Sequence, residues 1–297
     1  VSANALFPDA APWATHALDV GDGHVLQVLE FGRPDGIPAL VLHGGPGSGC
    51  SPLLRRVFDP ARWRVICPDQ RGAGSSLPRG CTAHNTTADL LADLRRLREF
   101  LAVDRWVVAG GSWGATLALA HVADQPSAVA ALLLRASFLA RREDIDGFFG
   151  PLSLDDRATG LDHAEPAERE RTALAWWRHE QMRAGTAGAE PQGDALAAQI
   201  DRLRVQAHYL RHGCWLQSPS LLERCEAVPR VPTQLIHARD DRICPPEGAQ
   251  ALQRRLPHAR LRWVDDAGHD AGHPAMIAAV MTALASYAEH GHFGEAA

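Results

Sequence analysis

The chain contains no lysine, so all 30 of its basic residues are arginine. That absence removes Schiff-base catalysis, which needs a lysine amine, and the phosphate-gripping lysine of a P-loop. Nowhere do about 18 apolar residues run without interruption, and the first residues show neither a positively charged start nor an apolar h-region. Neither membrane insertion nor export is therefore expected, and a cytoplasmic location is. The six cysteines (Cys50, Cys67, Cys81, Cys214, Cys225 and Cys244) form no Cys-x-x-Cys pair and show no Cys/His ligand spacing. Reduced, buried thiols are expected, with no metal site. A net charge of −5 without any block of like charges leaves no basic footprint for nucleic acid or an anionic membrane surface. A small-molecule or peptide partner is expected instead.

What is present is enough chain, 297 residues, for one large domain carrying an insertion. Alternating residues from Ala14 to Phe31 around Gly21-Asp22-Gly23 predict an antiparallel hairpin. Six later runs are mostly continuous in apolar character: Ala39–Leu42, Arg64–Cys67, Trp106–Ala109, Ala131–Leu134, Thr233–Ile236 and Leu261–Val264. Strands buried on both faces have this pattern. Helical patterns separate them: Thr87–Leu101 behind the cap candidates Asn85 and Thr86, Gly114–Asp124, Pro246–Leu256 and Pro274–Glu289. The alternation predicts an α/β fold, a mostly parallel central sheet with helices on both faces and a ligand crevice at the carboxyl ends of its strands. Between 140 and 225 charged helical segments, Ala164–Met182 and Asp194–Arg211, replace the strands. The expected organisation is a core formed by 1–139 and 226–297, with 140–225 inserted as a helical cap.

Gly110-Gly111-Ser112-Trp113-Gly114 follows one predicted strand and opens a helix. That context turns a common pentapeptide into a nucleophile elbow, in which a tight turn lifts the serine oxygen above the sheet. A serine nucleophile needs a base, and the base an orienting carboxylate, in the chain order Ser, Asp, His. Asp240-Asp241 follows the strand ending near His237, and His269 follows the strand ending near Val264. Asp241 and His269 are the candidates; Asp240 and His273 compete with them by position. The loop His43-Gly44-Gly45-Pro46-Gly47 follows an earlier strand, where a backbone N–H can face an oxyanion. Gly45 and Trp113 are the expected donors.

Three stretches resemble the signatures of the proline iminopeptidase (prolyl aminopeptidase) family of α/β hydrolases: His43–Gly47, Asp69-Gln70-Arg71-Gly72-Ala73-Gly74-Ser75, and Gly110–Leu117. The resemblance implies the α/β-hydrolase fold, release of N-terminal proline from short peptides without metal or cofactor, Asp241 as triad acid and His269 as base. It also implies that carboxylates of the cap bind the substrate's free amine. Glu180, ending Trp176-Trp177-Arg178-His179-Glu180, matches one such position; Gln206 stands where the family has a second glutamate. Phe138 and Phe149 match aromatic positions that would wall a pyrrolidine ring, and Asp69 and Arg71 are expected to brace the loop beside the oxyanion site. Gln206 leaves an esterase or amidase acting on small uncharged substrates as the alternative. A non-catalytic, ligand-binding homologue is a further one, which the intact Ser, Asp, His order disfavours.

Overall fold

A computed structural model describes residues 6–149, 153–186 and 188–294. The strands are β1 (Ala14–Gly21), β2 (His24–Gly32), β3 (Ile37–Leu42), β4 (Trp63–Pro68), β5 (Trp106–Gly111), β6 (Val129–Arg135), β7 (Thr233–Ala238) and β8 (Arg260–Val264). They form one sheet in the order β1-β2-β4-β3-β5-β6-β7-β8, antiparallel at β1/β2 and β2/β4 and parallel from β4 onward. The helices in chain order are α1 (Pro52–Arg55), α2 (Thr87–Phe100), α3 (Trp113–Asp124), α4 (Arg142–Phe149), α5 (Leu154–Leu161), α6 (Pro166–Ala184), α7 (Gly193–Arg211), α8 (Leu221–Arg224), α9 (Pro246–Arg255) and α10 (Pro274–His290).

The continuous apolar runs reflect two buried faces. Along β3, Leu40 and Leu42 join the core beneath α2 and α3, while Ala39 and Val41 face the core beneath α10. Along β5, Trp106 and Val108 point to the first of these and Val107 and Ala109 to the second. Val28, Leu40, Val108 and Leu132 are fully buried. β8 departs from the expectation of burial on both faces. It is the last strand of the sheet, and its Arg262 is exposed, because an edge strand has a neighbour on one side only. At the start of α2, Thr86 is the N-cap: it accepts from the Asp89 N–H, and the Asp89 carboxylate accepts in return from the Thr86 N–H. Asn85 has a different role, joining α7 to the segment that follows β4. It accepts from the Tyr209 hydroxyl at 2.8 Å and donates to the Arg71 carbonyl at 3.0 Å.

Strand order creates the site. β3 pairs with β5 through Leu42 opposite Gly110, so the loops leaving these two strands lie side by side. β7 pairs with β8 through Ala238 opposite Val264, which joins the Asp241 and His269 loops in the same way. Helices α4–α8 lie between β6 and β7 in the chain, and no strand interrupts them among the described residues. The end of α6 reaches the carboxyl-end side of the sheet, where Arg183 donates to the carbonyl of Arg242, in the loop after β7, at 2.7 Å. Among the described residues no helix is long and apolar enough to cross a membrane.

Candidate active site

Ser112 is the N-cap of α3 and has φ 56° and ψ −124°, a backbone region that L residues rarely enter. The flanking glycines make this turn possible. A Cβ on Gly110 would lie 2.2 Å from the Gly114 carbonyl oxygen, and one on Gly114 would lie 2.1 Å from that of Leu42. Any side chain at either position would drive strand and helix apart. The turn is pinned by the Ser112 N–H donating to the Arg135 carbonyl at 3.0 Å. Trp113 opens α3, so its N–H has no carbonyl a turn earlier to bind and points out of the helix N-terminus.

His269 Nδ1 donates to Asp241 Oδ2 at 2.8 Å. The other carboxylate oxygen, Oδ1, accepts from the N–H groups of Ile243 at 2.9 Å and Cys244 at 2.8 Å. Burial alone would raise the pKa of Asp241. The His269 charge and hydrogen bond, with the Cys244 N–H, outweigh it and hold the carboxyl below its ordinary value. A proton held on Nδ1 leaves Nε2 of His269 as the basic nitrogen. Asp240 is used elsewhere, accepting from the Gly268 N–H at 3.0 Å, and His273 occupies the N-cap position of α10.

Ser112, Gly45 and His269 line one cavity of about 290 Å³. Phe138, Phe149, Glu180 and Gln206 line it too, so every residue anticipated for substrate binding borders the same space. Phe149 is fixed by edge-to-face contacts with Phe148 and Trp176, whose ring centroids lie 4.9 and 5.1 Å away. Glu180 is engaged by Arg202, which donates from Nη2 to its carboxylate.

Three residues of this site were not anticipated. Gln70 ties the loop after β3 to the start of α3: its side-chain amide donates to the His43 carbonyl at 3.1 Å and accepts from the Trp113 indole N–H at 2.8 Å. Its own N–H donates to His43 Nε2 at 3.0 Å. Burial depresses the pKa of His43, so this ring is a neutral brace. Arg135, at the carboxyl end of β6, lies against Gly111, where a Cβ would meet its Nη2 at 2.5 Å. Its Nη1 is buried and has no hydrogen-bond partner among the described residues. The third is Arg202. Sequence signals existed for each: Gln70 lies within a signature stretch, Arg135 ends a strand on the crevice side, and Arg202 is one helical turn from Gln206.

Asp69 braces the loop after β3, accepting from the Cys50 N–H at 2.7 Å and the Ser75 N–H at 2.8 Å. Arg71 points elsewhere. Its guanidinium donates to both oxygens of Asp93 on α2, at 2.7 and 2.8 Å, and to the Val20 carbonyl, thereby joining α2 to the first hairpin. Among the described residues no group of three or more His, Cys, Asp or Glu side chains is placed to hold a metal ion.

An elbow serine, an Asp-His pair and a glycine loop at the strand ends of one parallel sheet define an α/β hydrolase, and the alpha/beta hydrolase fold family matches residues 38–274. The proline iminopeptidase of Xanthomonas citri is 34% identical over 310 residues, covering 95% of this chain and 99% of its own. That of Arabidopsis thaliana is 34% identical over 314 residues, covering 95% of this chain and 82% of its own. A solved proline iminopeptidase structure from Mycobacterium smegmatis shares the fold with a TM-score of 0.63 at 19% identity, over 94% of this chain and 100% of its own. The chain belongs to the proline iminopeptidase family of α/β hydrolases.

Proposed function

We propose that the enzyme is a serine aminopeptidase that releases N-terminal proline from short peptides through an acyl-enzyme. The observation that carries this reading is the 2.8 Å bond from His269 Nδ1 to Asp241 at the edge of the cavity that Ser112 lines, in a chain 34% identical to proline iminopeptidases. His269 Nε2 takes the Ser112 hydroxyl proton as Oγ attacks the substrate carbonyl. The resulting oxyanion sits against the backbone N–H groups of Gly45 and Trp113. Collapse breaks the C–N bond, and the leaving amine departs with the proton from His269. Water then attacks the ester by the same route in reverse, freeing the acid and restoring Ser112.

In this reading residues 140–225 act as a cap whose helices α4, α6 and α7 roof the cavity. The volume of about 290 Å³ fits one small acyl group, at the lower end of the range of about 300–1,000 Å³ common for ligand pockets. Phe138 and Phe149 form its apolar walls, and Glu180 and Gln206 lie at its polar end. Six free cysteines fit a reducing compartment such as the cytoplasm. The alternative, an esterase or amidase for uncharged small substrates, is favoured by one feature: Gln206 offers an amide where a carboxylate would attract a substrate cation.

Labelling by a fluorophosphonate probe, with Ser112→Ala as control, tests the nucleophile. Turnover of prolyl, alanyl and N-acetylprolyl arylamides, set against nitrophenyl esters, tests the substrate. Proline release requires cleavage of the prolyl arylamide and loss of rate on its N-acetylation. Robust ester hydrolysis without prolyl arylamide turnover would reassign the enzyme to the alternative.

A further inference from the structure

The carboxylates that line the cavity are already matched by arginines. Asp144 accepts from Arg141 Nε at 2.9 Å, and Glu180 accepts from Arg202. Arg202 also donates to the side-chain oxygens of Gln206 at 3.2 Å and Gln199 at 3.3 Å. Its guanidinium thus spans the polar acceptors at the cap end of the cavity. The backbone beneath it is held firmly. A Cβ on Gly47 would lie 2.8 Å from the Arg202 carbonyl oxygen, so α7 rests directly on the loop after β3. The two side chains of the pair are 19% and 17% exposed for Arg202 and Glu180, which leaves them weakly screened by salt and solvent. Arg135 adds a further positive charge to the lining. The cavity therefore holds no surplus negative charge to draw in an ammonium group.

We propose that Arg202 is a specificity-determining residue. It occupies Glu180 as a substrate ammonium would, and so lowers the cavity's preference for an acyl group carrying a protonated amine over its uncharged isostere. A cationic amine must displace the guanidinium or share the carboxylate with it at a repulsive distance. A neutral ring meets no such competitor. The proline-release reading is needed here only for the choice of ring, because the competition for Glu180 follows from the charges alone.

Prolinamide and cyclopentanecarboxamide, the same ring with and without the charged nitrogen, serve as probes, each measured as a competitive inhibitor of nitrophenyl acetate hydrolysis. Arg202→Met keeps the apolar stem and removes the charge. It is expected to tighten prolinamide inhibition by about tenfold while changing that of cyclopentanecarboxamide less than about twofold, the scale of one partly buried charge interaction. In the double variant Glu180→Gln/Arg202→Met the discrimination should return to the wild-type level, because the gain runs through Glu180. Arg202→Gln carries the same expectation should the methionine variant fold poorly, with near-UV circular dichroism as the check. An unchanged inhibition ratio in the single variants, or a gain that survives Glu180→Gln, overturns the proposal. Because the readout is ester hydrolysis, absent prolyl arylamide turnover would overturn the proline-release reading and leave this comparison intact.

Discussion

Asp241 holds the imidazole of His269 by a single 2.8 Å bond to Nδ1, while two backbone N–H groups grip its other oxygen. The carboxylate is thus aimed by its own loop before it aims the histidine. Asp241→Asn would keep the shape but allow the amide to donate to the ring, favouring the wrong tautomer. A fall in kcat of about 10⁴-fold is expected, the scale of such a change in a Ser-His-Asp site. Asp240→Asn should change kcat less than about threefold, since only the Gly268 N–H would feel it. Steady-state kinetics on one substrate decides between them, and comparable losses in both variants would contradict this division of roles.

Gln70 links the loop carrying Gly45 to Trp113, the residue after the proposed nucleophile Ser112. Gln70→Leu leaves the His43 carbonyl and the Trp113 indole N–H without their partner and loosens both oxyanion donors together. Losing a donor outright costs about 10²–10³ in turnover, so loosening two should cost roughly 10–100-fold in kcat with KM nearly unchanged. A rise in KM at constant kcat would instead make Gln70 a substrate contact.

His121 lies on the buried face of α3 and accepts from the Trp106 indole N–H at 3.1 Å. Burial lowers its pKa from 6.5 to about 4. The unfolded chain binds a proton there near 6.5 while the folded chain resists until about 4. Between those values the unfolded state carries more protons, so stability falls as pH falls and the contribution is complete only above the upper value. His121→Gln retains an acceptor for Trp106 and cannot titrate. Urea unfolding at pH 7 and pH 4.5 should show a smaller acid loss in the variant, by roughly 2–3 kcal/mol. Equal acid losses in both proteins would place the titrating group elsewhere.

Cys244 lines the cavity beside Ser112, and burial pushes its thiol well above the ordinary range. The protonated thiol should react slowly with iodoacetamide at neutral pH, yet an organomercurial bound there would crowd the nucleophile. Activity is therefore expected to survive iodoacetamide and to fall with the mercurial, and Cys244→Ala should resist both. Equal mercurial sensitivity in the variant would shift attention to Cys50, whose thiol borders the loop after β3.

Much of this architecture is legible in the sequence because its causes are local. Short, mostly apolar runs such as Trp106–Ala109 and Ala131–Leu134 mark strands buried on two faces, and Gly110 and Gly114 are required by backbone contacts within a few residues or one strand away. The Ser112, Asp241, His269 order follows from which strand ends carry polar loops. Residue pattern alone could not separate Asp241 from Asp240, which are adjacent on one loop; only the path of that loop aims one at His269 and the other at Gly268. Nor does pattern reveal that Arg71 serves α2 while Gln70 bridges His43 and Trp113, since the two residues open a turn, closed by the Ala73 N–H on the Gln70 carbonyl at 3.0 Å, that aims them apart.

The sequence by itself determined the fold class and the glycine-flanked strand-to-helix turn at Ser112, because periodicity and glycine sterics act over short distances. The tertiary structure alone decided the partnerships. Strand order brings β3 beside β5 and β7 beside β8, and the return of α6 and α7 over the sheet sets Arg202 against Glu180. The bonds of Arg202 to Glu180 and of Trp113 to Gln70 join residues 22 and 43 positions apart, and their energies depend on burial and charge balance, which the folded chain creates and no stretch of sequence carries on its own.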